Sequence, residues 1–417
     1  MNSVNNKKMK KHLLLLTVLF LFLSLSCKQN EKSAKESFSP LLSEIAFDEF
    51  ENSSLPHLFT DGENLMLSFV TQTDTLTTLY YSELINNQWS NPEKITSGTN
   101  WFVNWADYPQ IAKNGENYVA HILQKSDTAT FAYDVMVTQK QEGGSWSTPF
   151  KIHSDTTKTE HGFVSYTPFG ESQFLVNWLD GRNTSGGHHD HGGEPMTLRA
   201  AIVNSDGSIE NEYLLDGSVC DCCQTSSAMT ANGPVVVYRD RSDEEIRDIS
   251  IVRFEGRSWS EPVSVHHDNW QIHGCPVNGP RVAALDEIVA VAWFTAAGME
   301  SKVNLAFSKN SGADFETPIR IDNGEPLGRV DISFIDTENV VVCWMEDEGD
   351  ETFIKFRKVK LNGKLGEIFT LSNTSDSRSS GFPQIEVFNG NVYFAWTAFE
   401  EETLLVKTKF IDIYTLQ

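Results

Sequence analysis

The chain has 417 residues, 40% of them hydrophobic, and a formal charge of −24. Such an acidic surface is repelled by nucleic acid and by anionic membrane faces; neither is an expected partner, and the charge serves solubility. The length suits two or three ordinary domains or one large repeat domain, and past the first 26 residues no apolar stretch is long enough to span a bilayer.

In chain order, Met1–His12 is cationic and Leu13–Leu25 is apolar but short for a membrane span, the layout of an export signal. Ser-Leu-Ser-Cys follows, and the whole resembles a bacterial lipoprotein signal, which implies that Cys27 is lipidated and becomes the first residue. Ser24 departs from the Leu usual three places earlier, and an uncleaved anchor or a plain secretory signal is the alternative. Polar Lys28–Pro40 reads as a flexible tether. The expected organisation is a signal peptide over 1–26, a tether over 27–40 and a folded domain over 41–417. The resemblance implies a bacterial cell-envelope protein, held at the outer membrane by its N-terminal lipid and facing the periplasm or the surface. Cleavage removes four lysines and no acid, moving the charge from −24 to about −28. The oxidising envelope lets cysteines pair.

The remainder repeats. Asn86–Ile95 (NNQWSNPEKI), Gly143–Ile152 (GGSWSTPFKI), Glu255–Val265 (EGRSWSEPVSV) and Ser311–Ile321 (SGADFETPIRI) share a turn, an aromatic or apolar residue and a short strand; Ser205–Leu215 and Asn362–Leu371 are weaker echoes. Ahead of these stand an apolar strand, a Gly/Asn/Asp turn and a β-rich strand, as in Pro109–Leu123, Gly279–Phe294, Arg329–Trp344 and Phe382–Trp396, with related starts near His57, Tyr166 and Ser226. Seven starts, roughly 50 to 60 residues apart and without a helical period, predict an all-β fold: a β-propeller of four-stranded antiparallel blades. Seven blades is the favoured count and six the alternative, because the third and sixth repeats are degenerate. The seventh unit stops after its third strand, at Leu404–Ile413, while Leu41–Phe50 stands without a partner. That N-terminal strand is therefore expected to close the ring, covering an otherwise open edge.

Ser308–Phe315 (SKNSGADF) fits Ser-x-Asp/Asn-x-Gly-x-x-Trp/Phe and resembles the Asp-box (BNR) repeat of the sialidase-like propellers, with Asn310 where Asp is usual. In that family the box is a folding element between the third and fourth strands, on the face away from the active site. Sialidases hold a substrate carboxylate with three arginines and use a Tyr–Glu nucleophile and an Asp acid/base. Their first arginine sits in a Phe/Tyr-Arg-Ile/Leu-Pro motif; the corresponding Ser53–Gly62 (SSLPHLFTDG) has no arginine, so no triad carries over.

If the turns after each third strand share one face, the connections after each second and fourth strand ring the opposite, ligand-facing mouth of the central channel. Trp101, Trp105, Asp107 and Tyr108 fall there ahead of unit two, and His161 ahead of unit three. Unit three's loop (WLDGRNTSGGHHDHGGEP) adds Asp180, Arg182, His188, His189, Asp190 and His191. Next come Cys220, Cys222 and Cys223 (GSVCDCCQTSS), then Arg239, Asp240 and Arg241. His266, His267, Trp270, His273, Cys275 and Arg281 precede unit five, and Arg329, Asp331 and Arg378 complete the ring. The two cysteine loops flank blade four and are therefore neighbours. Gly274–Arg281 (GCPVNGPR) also resembles a recurring companion of Cys-x-Cys-Cys in bacterial sialidase-like proteins, to which no activity is attached.

Three readings of the cysteines stay open. Disulfides, with Cys275 joined to Cys222 or Cys223, staple two loops at about 2–4 kcal/mol each. A soft metal, copper or zinc, suits thiolates with imidazoles from His273, His161, His188, His189 or His191. A strained bond between adjacent Cys222 and Cys223 is a redox couple. Cys343 reads as a buried apolar thiol. The aromatics either stack on sugars or pack loops, and the arginines (Arg182, Arg239, Arg241, Arg281, Arg329, Arg378) either bind an anionic glycan or organic acid or order the rim through ion pairs. The leading function is ligand binding at the Cys/His face. The alternatives are an exo-acting, sialidase-type hydrolase of anionic glycans, for which Asp107, Asp180, Asp240 and Asp331 are the candidate acids, and a disulfide-stapled carbohydrate- or protein-binding module.

Overall fold

The computed structural model describes residues 42–45, 50, 52–184, 194–400 and 403–416. The export signal, Cys27, the tether, and His188, His189, Asp190 and His191 lie outside these residues.

The described chain is all-β, seven antiparallel sheets in sequence order around an axis, with helix limited to three single turns. The inner strands of blades one to seven begin at Ser53, Ile111, His161, Ser226, Arg281, Glu325 and Gln384. The seventh sheet takes its outer strand from the N-terminus: Ser43–Glu44 pairs antiparallel with Thr403–Asp412, placing Ser43 opposite Phe410 and Glu44 opposite Lys409. The expected seven-bladed, N-terminally closed propeller is what forms.

Each blade is wedged against the next by apolar side chains alternating along its strands. The core is thus a ring of inter-blade clusters, such as Val291, Trp293 and Ala306 with Val235 and Val237, or Phe356 with Phe394 and Ile411. Tryptophans recurring on the second strands carry a second regularity. The indole Nε1 of Trp178 donates to Asp180 two residues on (2.9 Å), and that of Trp344 to Glu346 (2.8 Å). Cys343 is buried beside Trp344 in the second strand of blade six, as its apolar context predicts.

The Ser308–Phe315 turn joins the third and fourth strands of blade five. Ser308 Oγ donates to Asn310 Oδ1 (2.8 Å) and accepts from Gly312 N (2.9 Å), and Asn310 Oδ1 accepts from Asp314 N (3.1 Å). Asn310, itself exposed, thus supplies the acceptor that holds both Ser308 and Asp314 in the turn. Ser308→Ala is expected to cost about 1–2 kcal/mol in chemical denaturation, because it strips partners from a buried turn.

Around the axis every inter-blade joint carries a side-chain-to-backbone bond at its inner strands. Ile111 N donates to His57 Nδ1 (3.5 Å), Phe163 N to Asp107 Oδ1 (2.7 Å), Gly279 N to Gln224 Oε1 (2.9 Å), Arg329 N to Asn278 Oδ1 (2.7 Å), Ile385 N to Asp331 Oδ2 (2.9 Å) and Leu55 N to Thr397 Oγ1 (3.2 Å). Between blades three and four the direction reverses, with Thr225 Oγ1 donating to Phe163 O (2.7 Å). Two glycines are required by this close fit. A Cβ on Gly162 would lie 1.9 Å from Asp107 Oδ2, and one on Gly279 2.1 Å from the Gln224 carbonyl.

Candidate functional site

Cys220 directly follows the outer strand of blade three, and six residues later, at Ser226, the chain enters the inner strand of blade four. Its N–H donates to Arg239 O at 3.0 Å, which anchors the loop to the neighbouring blade. Cys220, Cys222 and Cys223 are all buried, and their sulfurs converge: Cys220 Sγ lies 3.0 Å from Cys223 Sγ and 4.0 Å from Cys222 Sγ. Cys275, on the connection from blade four to blade five, is exposed and stands outside the group of three converging sulfurs. His273 is exposed two residues earlier.

A positive group sits against the cluster. Arg247 Nη1 is 3.5 Å from Cys220 Sγ and its Nη2 is held by Glu245 at 2.6 Å. Burial raises the Cys220 thiol, but hydrogen bonds from Cys222 and Cys223 and the charge of Arg247 outweigh it and leave Cys220 well below the usual thiol range. Burial pushes Cys222 and Cys223 well above that range, with the Cys220 thiolate adding to the effect. The ground arrangement is one thiolate accepting from two thiols, a nucleophilic and metal-seeking centre.

The motif's other residues build its frame. Gln224 receives Gly279 N and donates Nε2 to Ala106 O (2.7 Å), linking three blades at the mouth. Asn278, in GCPVNGPR, presents its carbonyl to Arg239 (Nη2 at 2.8 Å) and its side chain to Arg329 N. The two motifs meet in the structure where the Gln224 side chain accepts Gly279 N.

The remaining arginines are mostly occupied. Arg239 is buried, donates to the carbonyls of Asn278, Arg247 and Phe294, and lies 4.8 Å from the ring of buried Trp270. Arg329 donates to the carbonyls of Asp376, Ser377 and Gly381 and covers Trp105 at 4.7 Å; burial lowers it to about 10. Arg182 grips Asp180 through two bonds of 2.7 Å and also binds Glu212. Arg241 pairs with Asp221 (3.0 Å) and Glu245 (2.7 Å). Arg281 donates to Tyr108 and stands 3.8 Å from Asp331, on the channel wall. Arg378 is exposed on its loop.

The acids divide the same way. Asp180 is buried; burial raises it, but Arg182, His161 and Trp178 outweigh this and hold it at about 2. Asp107 is lifted to about 7 and Asp331 is raised, both chiefly by burial, and both accept an N–H from the next blade. Asp240 is lifted to about 6 by burial and by Asp216, and it accepts from Arg241 N and Ser250 Oγ. Tyr133 and Glu160, bonded at 2.6 Å, form a tyrosine–carboxylate pair, but Tyr133 is buried under Phe102, stacked at 4.2 Å, and faces Asp107 rather than the channel. Trp105 stacks on Phe382 at 5.6 Å and Trp101 packs on Gly98, so both order the rim. His161 is buried at the joint of blades two and three, beside His153 and Asp134, in a cluster separate from the sulfurs.

Residue-by-residue reading missed Arg247, His153 and Asp134. Arg247 was hidden in RDRSDEEIRD, a charge-alternating loop that looks self-paired; His153 and Asp134 lie at ends of strands with no local motif.

No protein-family model matches the chain, and no curated protein matches it in sequence. Solved structures match in fold. The phage phi92 endosialidase aligns with a TM-score of 0.51 and 11% identity over 90% of this chain and 69% of that one. The polysaccharide lyase Uly1 aligns with a TM-score of 0.50 and 8% identity over 89% and 92%. An α-L-arabinanase of Penicillium chrysogenum has a TM-score of 0.46 and 10% identity over 91% and 98%. The chain is a seven-bladed propeller whose solved neighbours are sialidase-like, glycosidase and lyase propellers. At these identities the likeness fixes the fold, and the site decides the chemistry.

Proposed function

We propose that this is an envelope protein whose propeller binds one soft metal ion, copper(I) or zinc, through Cys220, Cys222 and Cys223, with Cys275 or His273 completing the set. The observation that carries the reading is the convergence of three buried sulfurs beside a guanidinium. Two thiolates on one ion with bonds near 2.3 Å stand about 3.8 Å apart, close to the 4.0 Å between Cys220 and Cys222. Arg247 offsets the surplus negative charge that three thiolates bring to one ion. The envelope placement rests on the cationic, apolar, Cys-terminated leader.

Protein purified anaerobically from the envelope is expected to carry one copper or zinc per chain, and Cys220→Ser to lose it with at least a tenfold fall in affinity. Metal-free protein with one free thiol after denaturation, from Cys343, would instead establish two disulfides and end the metal reading.

Carbohydrate processing is the second reading, favoured by the fold shared with an endosialidase and a polysaccharide lyase. Turnover of a sialoside or anionic polysaccharide that disappears in Asp240→Asn would promote it; a panel of such glycans left intact would remove it.

A further inference from the structure

A second set of metal-ligand side chains is buried where blade two meets blade three. Asp134 lies at the start of blade two's third strand, His153 follows that blade's outer strand, and His161 opens blade three's inner strand. One ligand atom from each lies within 4.8 Å of the others. Asp134 Oδ1 is 3.4 Å from His153 Nε2 and 3.8 Å from His161 Nδ1, and Asp155 Oδ2 is 3.1 Å from His161 Nε2.

Two features do not fit a purely structural cluster. The first is an unmet bonding requirement. The His153 side chain is 0% exposed, yet among the described residues neither of its ring nitrogens has a well-formed hydrogen bond, and neither does Asp134 Oδ1. The 3.4 Å contact between them is an attraction without the alignment of a bond. Buried polar atoms left this way cost about 1–3 kcal/mol each.

The second is charge. Among the described residues, with neutral imidazoles, Asp134, Asp155, Asp180 and Glu212 face Lys151, Arg182 and Arg199, four acids against three bases. The two imidazoles stack at 3.9 Å with 9° between planes. Burial, and then His153, push His161 below its usual range. Burial raises Asp134, but the imidazoles and Lys151 outweigh it and keep it ionised. Neutral imidazole and ionised carboxylate are the forms that ligate.

We propose that Asp134, His153, Asp155 and His161 bind a divalent transition ion of the zinc type. His161 Nδ1 lies 3.2 Å from the carbonyls of Tyr133 and Thr159, which fixes the ring and leaves Nε2 toward Asp155. Orientation of a ligating histidine through its other nitrogen is the usual arrangement. The stacked rings present their lone pairs in two planes, and His153, which no hydrogen bond anchors, is the ring that turns onto the ion. Nitrogen and oxygen donors select a harder ion than sulfur does. This site therefore stands whether or not the cysteines bind metal.

The test is a Co²⁺ titration of the metal-freed full chain at pH 7. Cobalt on thiolate shows a near-ultraviolet sulfur-to-metal band, and cobalt on imidazole and carboxylate shows only weak visible bands. The expected result is one equivalent without the sulfur band, bound at least about tenfold more weakly in His153→Gln and in Asp134→Asn, with any sulfur band unchanged. Should one variant fail to fold, the other and the wild-type stoichiometry decide. Absence of a sulfur-free equivalent in the wild type overturns the proposal, as does one that survives both substitutions; the stacked pair then shares a proton and nothing more.

Discussion

A chain that begins at Ala46 is expected to lose cooperative folding and to aggregate, although it keeps every strand but one. The two residues Ser43 and Glu44 form the outer strand of blade seven, and Ile45 behind them donates to Thr408 O (3.3 Å) and accepts from Thr408 Oγ1 (3.1 Å). Thr408 Oγ1 in turn receives Trp89 Nε1 from blade one (3.0 Å). Ile45 is buried in the cluster that joins blades seven and one, with Leu58, Phe69, Tyr393 and Val406. Removing the strand bares the edge of Thr403–Asp412 and opens the one joint that chain continuity does not hold. Ile45→Ala isolates the packing part, with an expected loss of about 2–4 kcal/mol in urea denaturation. Glu44→Ala, on an exposed side chain, should change stability little. An Ala46 start with an unaltered transition would mean that the ring closes through its inner strands alone.

This closing strand was legible because the repeat count left one outer strand missing and one stretch without a partner. The end of the propeller at which each loop emerges was legible for a similar reason: antiparallel strands fix it. What the pattern could not show is which charged side chains on that face are already engaged. Arg239 and Arg329 look like anion ligands in sequence, yet they satisfy backbone carbonyls that irregular inner connections leave unpaired inside protein, a task suited to five fixed donors. Asp107 and Asp331 look like catalytic acids, yet their partners are N–H groups one blade onward, 56 and 54 residues away. That spacing is the repeat length, so the signal existed in the sequence, but as a periodic polar position rather than a local motif. The loop arginine beside the cysteines was not picked out, because only folding brings Arg247 back to Cys220.

Asp107→Asn is expected to make the protein more stable than wild type at pH 8 and to remove part of its pH dependence. Asp107 is 2% exposed, accepts Phe163 N at 2.7 Å and faces Tyr133 Oη at 3.2 Å, while Tyr133 also binds Glu160. Burial lifts its carboxyl from 3.8 to about 7, and the bonds from Phe163 and Tyr133 counter only part of this. The folded chain therefore keeps this proton to about pH 7, whereas the unfolded chain releases it near pH 4. Across that window the folded state binds more protons, so stability falls as pH rises; the contribution is fully present below the lower value and lost above the upper one. A shift of this size corresponds to about 4 kcal/mol between pH 4 and pH 8. Asn keeps an acceptor for Phe163 and carries no proton to lose, so its variant lacks Asp107's share of the slope, while Glu160, Asp240, Asp331 and Glu386, also raised by burial, keep theirs. Asp107→Ala separates the charge from the bond: it leaves Phe163 N without its acceptor and opens a void beside Gly162, a loss of about 2–4 kcal/mol against wild type at pH 5 that shrinks toward pH 8, where wild type bears the cost of ionising Asp107. Urea denaturation at pH 5 and pH 8 distinguishes the cases. Equal pH slopes for wild type and Asp107→Asn would show that Asp107 is ionised in the folded protein, with Glu160 holding the proton that Tyr133 bridges.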